Sequence, residues 1–157
     1  MDRSTHVAPN PRDILERALD RVRAYDLEGF ANLFVEDGVI EYPFAPAGAL
    51  HRLPGREEIR RVLGEAAASP RRSGRRVTKV SSLVVHQTAD PEVIVAEFDL
   101  EGEIVATGQP YRLPYIQVLR VRDGRIVSLR DYIDYSALTA LTGGLPGPLA
   151  APIDGAD

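Results

Sequence analysis

The 157-residue chain contains no cysteine, which excludes disulfide staples, thiolate catalysis and cysteine-ligated metals. Histidine is almost as scarce. His6, His51 and His86 stand apart, none in a spacing such as HExxH that sets two imidazoles on one metal, so no metal site is expected. Nowhere do 18 apolar residues follow one another, and no apolar stretch follows a basic start at the N-terminus. The reading is therefore of a soluble, cytoplasmic protein with neither a membrane span nor a signal peptide. Positive charge is not in excess either: a net charge of −4 and a pI near 5.4 argue against nucleic acid or an anionic membrane as a partner. The basic run Arg71, Arg72, Arg75, Arg76 and Lys79 is the exception, and without aromatics to stack on bases it reads as a solvated loop leading into a strand.

What is present suits one globular domain. With 44% hydrophobic and 27% charged residues, a chain of this length can bury roughly two-thirds of its unfolded surface. Residues 1–9 read as a loose leader, 10–142 as the domain, and the Gly/Pro-rich stretch 143–157 as a tail or a flap. Asn10-Pro11-Arg12-Asp13 has a cap, a first-turn proline and an acid suited to a helix start, and Ile14, Leu15, Ala18, Leu19, Val22 and Tyr25 follow at helical spacing. A second, short helix is expected from Asp26 through Phe30, Leu33 and Phe34 to about Asp37-Gly38, then a strand over Val39–Phe44 with Ile40 and Tyr42 on one face. Gly55 to about Ala68, stopped by Ser69-Pro70, predicts a third helix. From there the period changes to two: Val77–His86, Val93–Glu101 and, after Gly102, Ile104–Thr107 read as strands. Helices ahead of a run of antiparallel strands predict an α+β domain, with helices packed on one curved sheet.

The most informative stretch is 115–135, YIQVLRVRDGRIVSLRDYIDY. Asp123-Gly124 between two β-branched and aromatic runs is a hairpin signal, because that pair accepts the positive φ values of a tight primed turn. Alternation places Tyr115, Gln117, Leu119 and Val121 on one face and Val127, Leu129, Asp131 and Ile133 on one face. Asp131 thus sits among aliphatic neighbours, where desolvation raises a carboxyl pKa toward the range useful for proton transfer. The competing reading is an ordinary ion pair with Arg120 or Arg122 across the hairpin; Arg130, the adjacent residue, points to the other face. Beyond Tyr135, SALTAL (136–141) reads as a further helical turn.

The phrases YDLEGFANLFVEDG (25–38), PGREEI (54–59) and DGRIVSLRDYID (123–134), in this order, resemble the superfamily that includes nuclear transport factor 2, ketosteroid isomerase, limonene epoxide hydrolase and the SnoaL-like polyketide cyclases. The resemblance implies a cone-shaped curved antiparallel sheet with three N-terminal helices packed on it, and a homodimer paired through the open sheet. It implies Asp131, in Arg130-Asp131-Tyr132, as the acid/base of the cyclase type. Phe98 and Leu100 stand where the epoxide hydrolases carry an Arg and an Asp, Tyr42 where ketosteroid isomerase has its base, and Gln117 where it has an oxyanion-binding Asp. Residues 90–94 and 97–105 resemble the PhzA/PhzB proteins of phenazine biosynthesis, whose helix histidine falls at Val62.

These readings give one carboxyl, Asp131, with Tyr42, Tyr115 and Gln117 as hydrogen-bonding partners, and Phe98, Leu100, Leu129, Tyr25 and His51 as substrate-binding candidates. The implied activity is proton shuttling on a small hydrophobic, carbonyl-containing or polyketide-like substrate, in a cyclisation, isomerisation or condensation without a cofactor. The alternatives are a non-catalytic module for a hydrophobic ligand, an epoxide-opening hydrolase, and a scaffold whose outer face (Glu97, Asp99, Glu101, Arg120 and Arg122) is only an interface.

Overall fold

A computed structural model describes residues 7–68 and 74–143. Most of the leader, Arg71 and Arg72, the Ser69-Pro70 helix stop and nearly all of the Gly/Pro-rich tail lie outside the described residues.

Helix α1 (Pro11–Arg23) starts where the cap signal places it. Asn10 Oδ1 accepts from the Asp13 amide at 2.9 Å, and Asp13 Oδ2 accepts from the Asn10 amide at 3.2 Å, a reciprocal capping box. One stripe, Ile14, Leu15, Ala18 and Leu19, is buried. Helix α2 (Leu27–Ala31) is capped by Asp26 and is shorter than its apolar spacing predicts. Strand β1 (Phe34–Glu41) already begins at Phe34, which is fully buried and pairs with Ile126. Tertiary pairing here overrides the helical period. Ile40 and Tyr42 are buried on one face, as expected. A three-residue strand, β2 (Arg52–Pro54), pairs antiparallel to β1 in a segment too short to stand out from its loop.

Helix α3 (Arg56–Ala68) then carries the chain to the far edge of the sheet. Strands β3 (Arg75–Gln87), β4 (Val93–Ile104), β5 (Pro110–Arg122) and β6 (Arg125–Ile133) return as an antiparallel meander, giving one six-stranded sheet in the order β2-β1-β6-β5-β4-β3. On reaching β1, β6 runs parallel to it. The sheet is therefore mixed, not wholly antiparallel as the sequence predicts, because the α3 crossover and the meander bring β6 back in β1's own direction. Strand β4 runs straight through Gly102, where a break was expected, and the chain turns only after Ile104. The basic run does not form a loop at Arg75, Arg76 and Lys79; all belong to β3.

At the hairpin, Asp123 (φ 51°) and Gly124 (φ 74°) form the primed turn. Tyr115 pairs with Ile133, Gln117 with Asp131 and Leu119 with Leu129. The register shifts between Arg120 and Val121, which leaves Val127 without a partner and buries Ile126 completely. The bulge moves the inward position from Val127, where simple alternation puts it, to Ile126. A fourth helix, α4 (Tyr135–Thr142), is capped by Asp134 and ends at Gly143 with φ 75°. Helix α1 packs on the inner face of β3–β5 while α2 and α3 pack together beside β1. No helix among the described residues is long and apolar enough to cross a membrane.

Candidate active site

Between the helices and the inner face of the sheet lies a cavity of about 210 Å³. Leu19, Val22, Leu27 and Phe30 close it from the helices, while Ile40, Phe98, Leu100, Leu129 and Ile133 close it from the strands. Its polar lining is sparse: Tyr25, Tyr42, Arg75, Tyr115, Gln117 and Asp131. Of the residues picked out in the sequence, Asp131, Gln117, Tyr42, Tyr115, Phe98, Leu100, Leu129 and Tyr25 all meet here. Tyr25, 36% exposed, lies on the solvent side. His51 is not brought to this wall; it is exposed, and its carbonyl accepts from the Tyr42 amide at 2.9 Å.

Asp131 projects from β6 between the buried Leu129 and Ile133. Burial pushes its carboxyl pKa from 3.8 up to about 7, against the opposing pull of Gln117's hydrogen bonding and the positive charge of Arg75. Its Oδ1 is buried and has no hydrogen-bond partner among the described residues. The surface ion pair that competes with this reading does not form. Arg120 binds Asp90 and Glu92 at 2.9 and 3.0 Å, and Arg122 binds Glu92 at 2.9 Å. Arg130 lies over the ring of its neighbour Tyr132, its guanidinium carbon 5.7 Å from the centroid.

Around this carboxyl stand Tyr42, Tyr115 and Tyr135. Burial first, and the Asp131 charge in addition, raise the pKa of each phenol, with Arg75 opposing the rise at Tyr115. All three stay protonated near neutral pH and can donate to an oxygen that gains charge. Tyr115 is fixed on two sides: Phe98 stacks on it with centroids 5.8 Å apart and planes 5° from parallel, and Arg75 Nη1 donates to its hydroxyl at 2.7 Å. Arg75 and Tyr135 are the residues that sequence reasoning missed. Val77 is the first β-branched residue of its strand, and the strand period of two counted back from it places Arg75 on the same, inward face. Tyr135 follows the end of β6, and only the Asp134 cap, with its Oδ1 accepting from the Ala137 amide at 2.9 Å, signals that the chain turns back there.

The arrangement can take a proton from a carbon acid and return it, while phenols hold the resulting enolate oxygen. Among the described residues no three His, Asp or Glu side chains converge as metal ligands. The outer-face acids are paired within the sheet, Asp99 with Arg112 at 2.5 Å, Glu101 with Lys79 at 3.7 Å and Glu97 with His86 at 2.7 Å.

Residues 15–129 match the family model for the SnoaL-like domain. An uncharacterised PhzA/B-like protein of Pseudomonas aeruginosa is 35% identical over 123 residues, covering 78% of this chain and 83% of its own. A Bacillus subtilis protein described as a proposed isomerase superposes with a TM-score of 0.70 at 31% identity, covering 87% of this chain and 98% of that one. A proposed polyketide cyclase of Xanthomonas campestris superposes with a TM-score of 0.67 at 20% identity, over 84% of this chain and 96% of that one, and shares the fold.

Proposed function

The chain belongs to the SnoaL-like family, and from that membership and the buried carboxyl of Asp131 we propose that it is a cofactor-independent acid/base enzyme acting on a small carbonyl compound. The observation that carries this reading is a single carboxyl in an apolar cavity with its pKa lifted to about 7, where it exchanges a proton at little cost at neutral pH. Asp131 removes a proton from carbon next to a carbonyl and returns it at the same or another position. Tyr42 and Tyr115 donate to the enolate oxygen, and Gln117 holds the carboxyl in place. The same enolate, once formed, can be reprotonated elsewhere, an isomerisation, or can attack a second carbonyl of its own molecule, a cyclisation. The names borne by the Bacillus and Xanthomonas neighbours, isomerase and polyketide cyclase, favour these two outcomes. An epoxide-opening triad is disfavoured because Phe98 and Leu100 line the cavity with apolar side chains.

The test is deuterium exchange at the α-carbons of cyclic ketones of cavity size, 2-tetralone among them, followed by NMR. Asp131→Asn should keep ketone affinity and lower exchange by roughly 10²–10⁴-fold. Loss of affinity and exchange together, or of neither, would make the cavity a binding module and not a catalyst.

A further inference from the structure

Three phenols stand around Asp131, and one of them, Tyr115, takes a hydrogen bond from a guanidinium: Arg75 Nη1 donates to its hydroxyl oxygen at 2.7 Å. A guanidinium carries donors only, so this bond runs in one direction, and the single proton of the phenol must leave its oxygen on another side. The ring is held in place, because Phe98 stacks on it with planes 5° from parallel. Arg75 is steadied in turn by the Tyr111 ring, whose centroid lies 5.7 Å from the guanidinium carbon. Both Arg75 and Tyr115 line the cavity. Electrostatics separates the three phenols in the same sense. At Tyr42 and Tyr135, burial, the Asp131 charge and the neighbouring phenols all raise the pKa. At Tyr115, burial and Asp131 raise it, whereas the charge and the hydrogen bond of Arg75 pull it back down.

We propose that Arg75 is a positioning residue that acts through Tyr115: by occupying the acceptor side of the phenol it turns the Tyr115 proton into the cavity and makes this hydroxyl, ahead of Tyr42, the donor to the substrate oxygen that gains charge. A hydroxyl that accepts from a cation is polarised and donates more strongly, and the charge it takes on as its proton moves toward the substrate is answered by the guanidinium. The ladder supports the same placement. Tyr115 pairs with Ile133 and Gln117 with Asp131, so Tyr115 and Asp131 are diagonal neighbours of β5 and β6 on the cavity side. Such neighbours stand roughly 7–8 Å apart, room for a carbonyl oxygen at the phenol and its α-carbon at the carboxyl. The assignment deepens the acid/base reading above and rests on it for the reaction, whereas the bond from Tyr115 to a bound ketone does not depend on turnover.

The experiment has two arms. In Asp131→Asn protein, which holds the ketone without turning it over, the carbonyl carbon of 13C-labelled 2-tetralone is followed by NMR, where a stronger donor to its oxygen moves the bound signal downfield. Adding Tyr115→Phe should move that signal upfield, adding Arg75→Gln should move it part of the way, and Arg75→Gln on top of Tyr115→Phe should move it no further. Arg75→Lys, which keeps a charge and a donor, should move it less than Arg75→Gln does. With Asp131 in place, Tyr115→Phe should slow deuterium exchange roughly 10²–10³-fold and Arg75→Gln about tenfold, the latter with ketone affinity nearly unchanged and no further loss in the double variant. An Arg75→Gln effect of equal size with and without the Tyr115 hydroxyl, or a carbonyl signal that Arg75→Gln leaves in place, overturns the assignment, as does a larger upfield shift from Tyr42→Phe than from Tyr115→Phe. Should Arg75→Gln fail to fold, Arg75→Met, which keeps the length of the stem without the charge, completes the same cycle. Exchange that is unaffected by Asp131→Asn, beside the expected carbonyl shifts, would defeat the catalytic reading alone, whereas Asp131-dependent exchange beside carbonyl shifts that ignore Arg75 would defeat the Arg75 assignment alone.

Discussion

Gln117 and Asp131 are direct partners across the β5–β6 ladder, and both side chains line the cavity. The amide's hydrogen bonding favours the charged carboxylate and holds its pKa lower than burial alone would. Gln117→Leu removes that support with little change in volume. The carboxyl should then titrate above its wild-type value of about 7, seen in the carboxyl carbon shift of Asp131 against pH. A titration that moves downward, or not at all, would show that Gln117 does not act on the carboxylate.

The same carboxyl sets a rate profile. If Asp131 acts as the base, its deprotonated form does the work, so exchange into a neutral ketone should rise about tenfold per pH unit below about 7 and level off above it. A flat profile between pH 5 and 9 would place proton abstraction on another group.

Stability should depend on pH in the opposite sense. Because the folded state raises the Asp131 pKa from 3.8 to about 7, it binds a proton more tightly than the unfolded chain does between those values. Stability from this group is therefore present at low pH and lost as pH rises through the window. Asp131→Asn has no such proton. Chemical denaturation should find the variant close to wild type near pH 4 and more stable by roughly 3–4 kcal/mol at pH 8. An unchanged difference across this range would mean that the carboxyl is solvated.

Much of this site was legible because period-two alternation and a primed-turn dipeptide are local signals: the hairpin, the Gln117–Asp131 face and the apolar companions of Asp131 follow from residues 115–134 alone. The parts that were not legible depend on distant pairing. Phe34 has helical spacing to Phe30, and its strand character comes from pairing with Ile126, far along the chain. Arg75 lies in a run of basic residues whose composition suggests solvent, and the strand period counted back from Val77 applies to it only because β3 extends to Arg75, paired there with Ile104 of β4. His51 follows β1 closely in sequence, yet the short β2 ladder leaves it outside the cavity wall.

The bulge in β6 makes a contrast within two adjacent residues. Ile126 is fully buried whereas Val127 is only partly so. Ile126→Ala should cost about 2–5 kcal/mol, the usual range for a buried isoleucine left as a cavity, and Val127→Ala should cost about 1 kcal/mol or less. Equal costs in urea unfolding would indicate that the register has no bulge there.

Gly102 links the fold to the inward turn of Arg75. It pairs with Val77 where β3 carries an extra residue, Thr78, between successive partners. A Cβ on Gly102 would lie 1.8 Å from the Arg76 carbonyl oxygen, a distance that backbone must move to relieve. With no side chain at 102, β3 approaches β4 closely enough for Arg75 and Val77 both to face the cavity. Gly102→Ala should destabilise the protein by about 1–3 kcal/mol through overpacking. By displacing the start of β3 it should also loosen the Arg75–Tyr115 contact, so the Tyr115 ring signals should shift in the NMR spectrum of protein that remains folded. A variant as stable as wild type with unshifted Tyr115 signals would show that the close approach at Gly102 does not position Arg75.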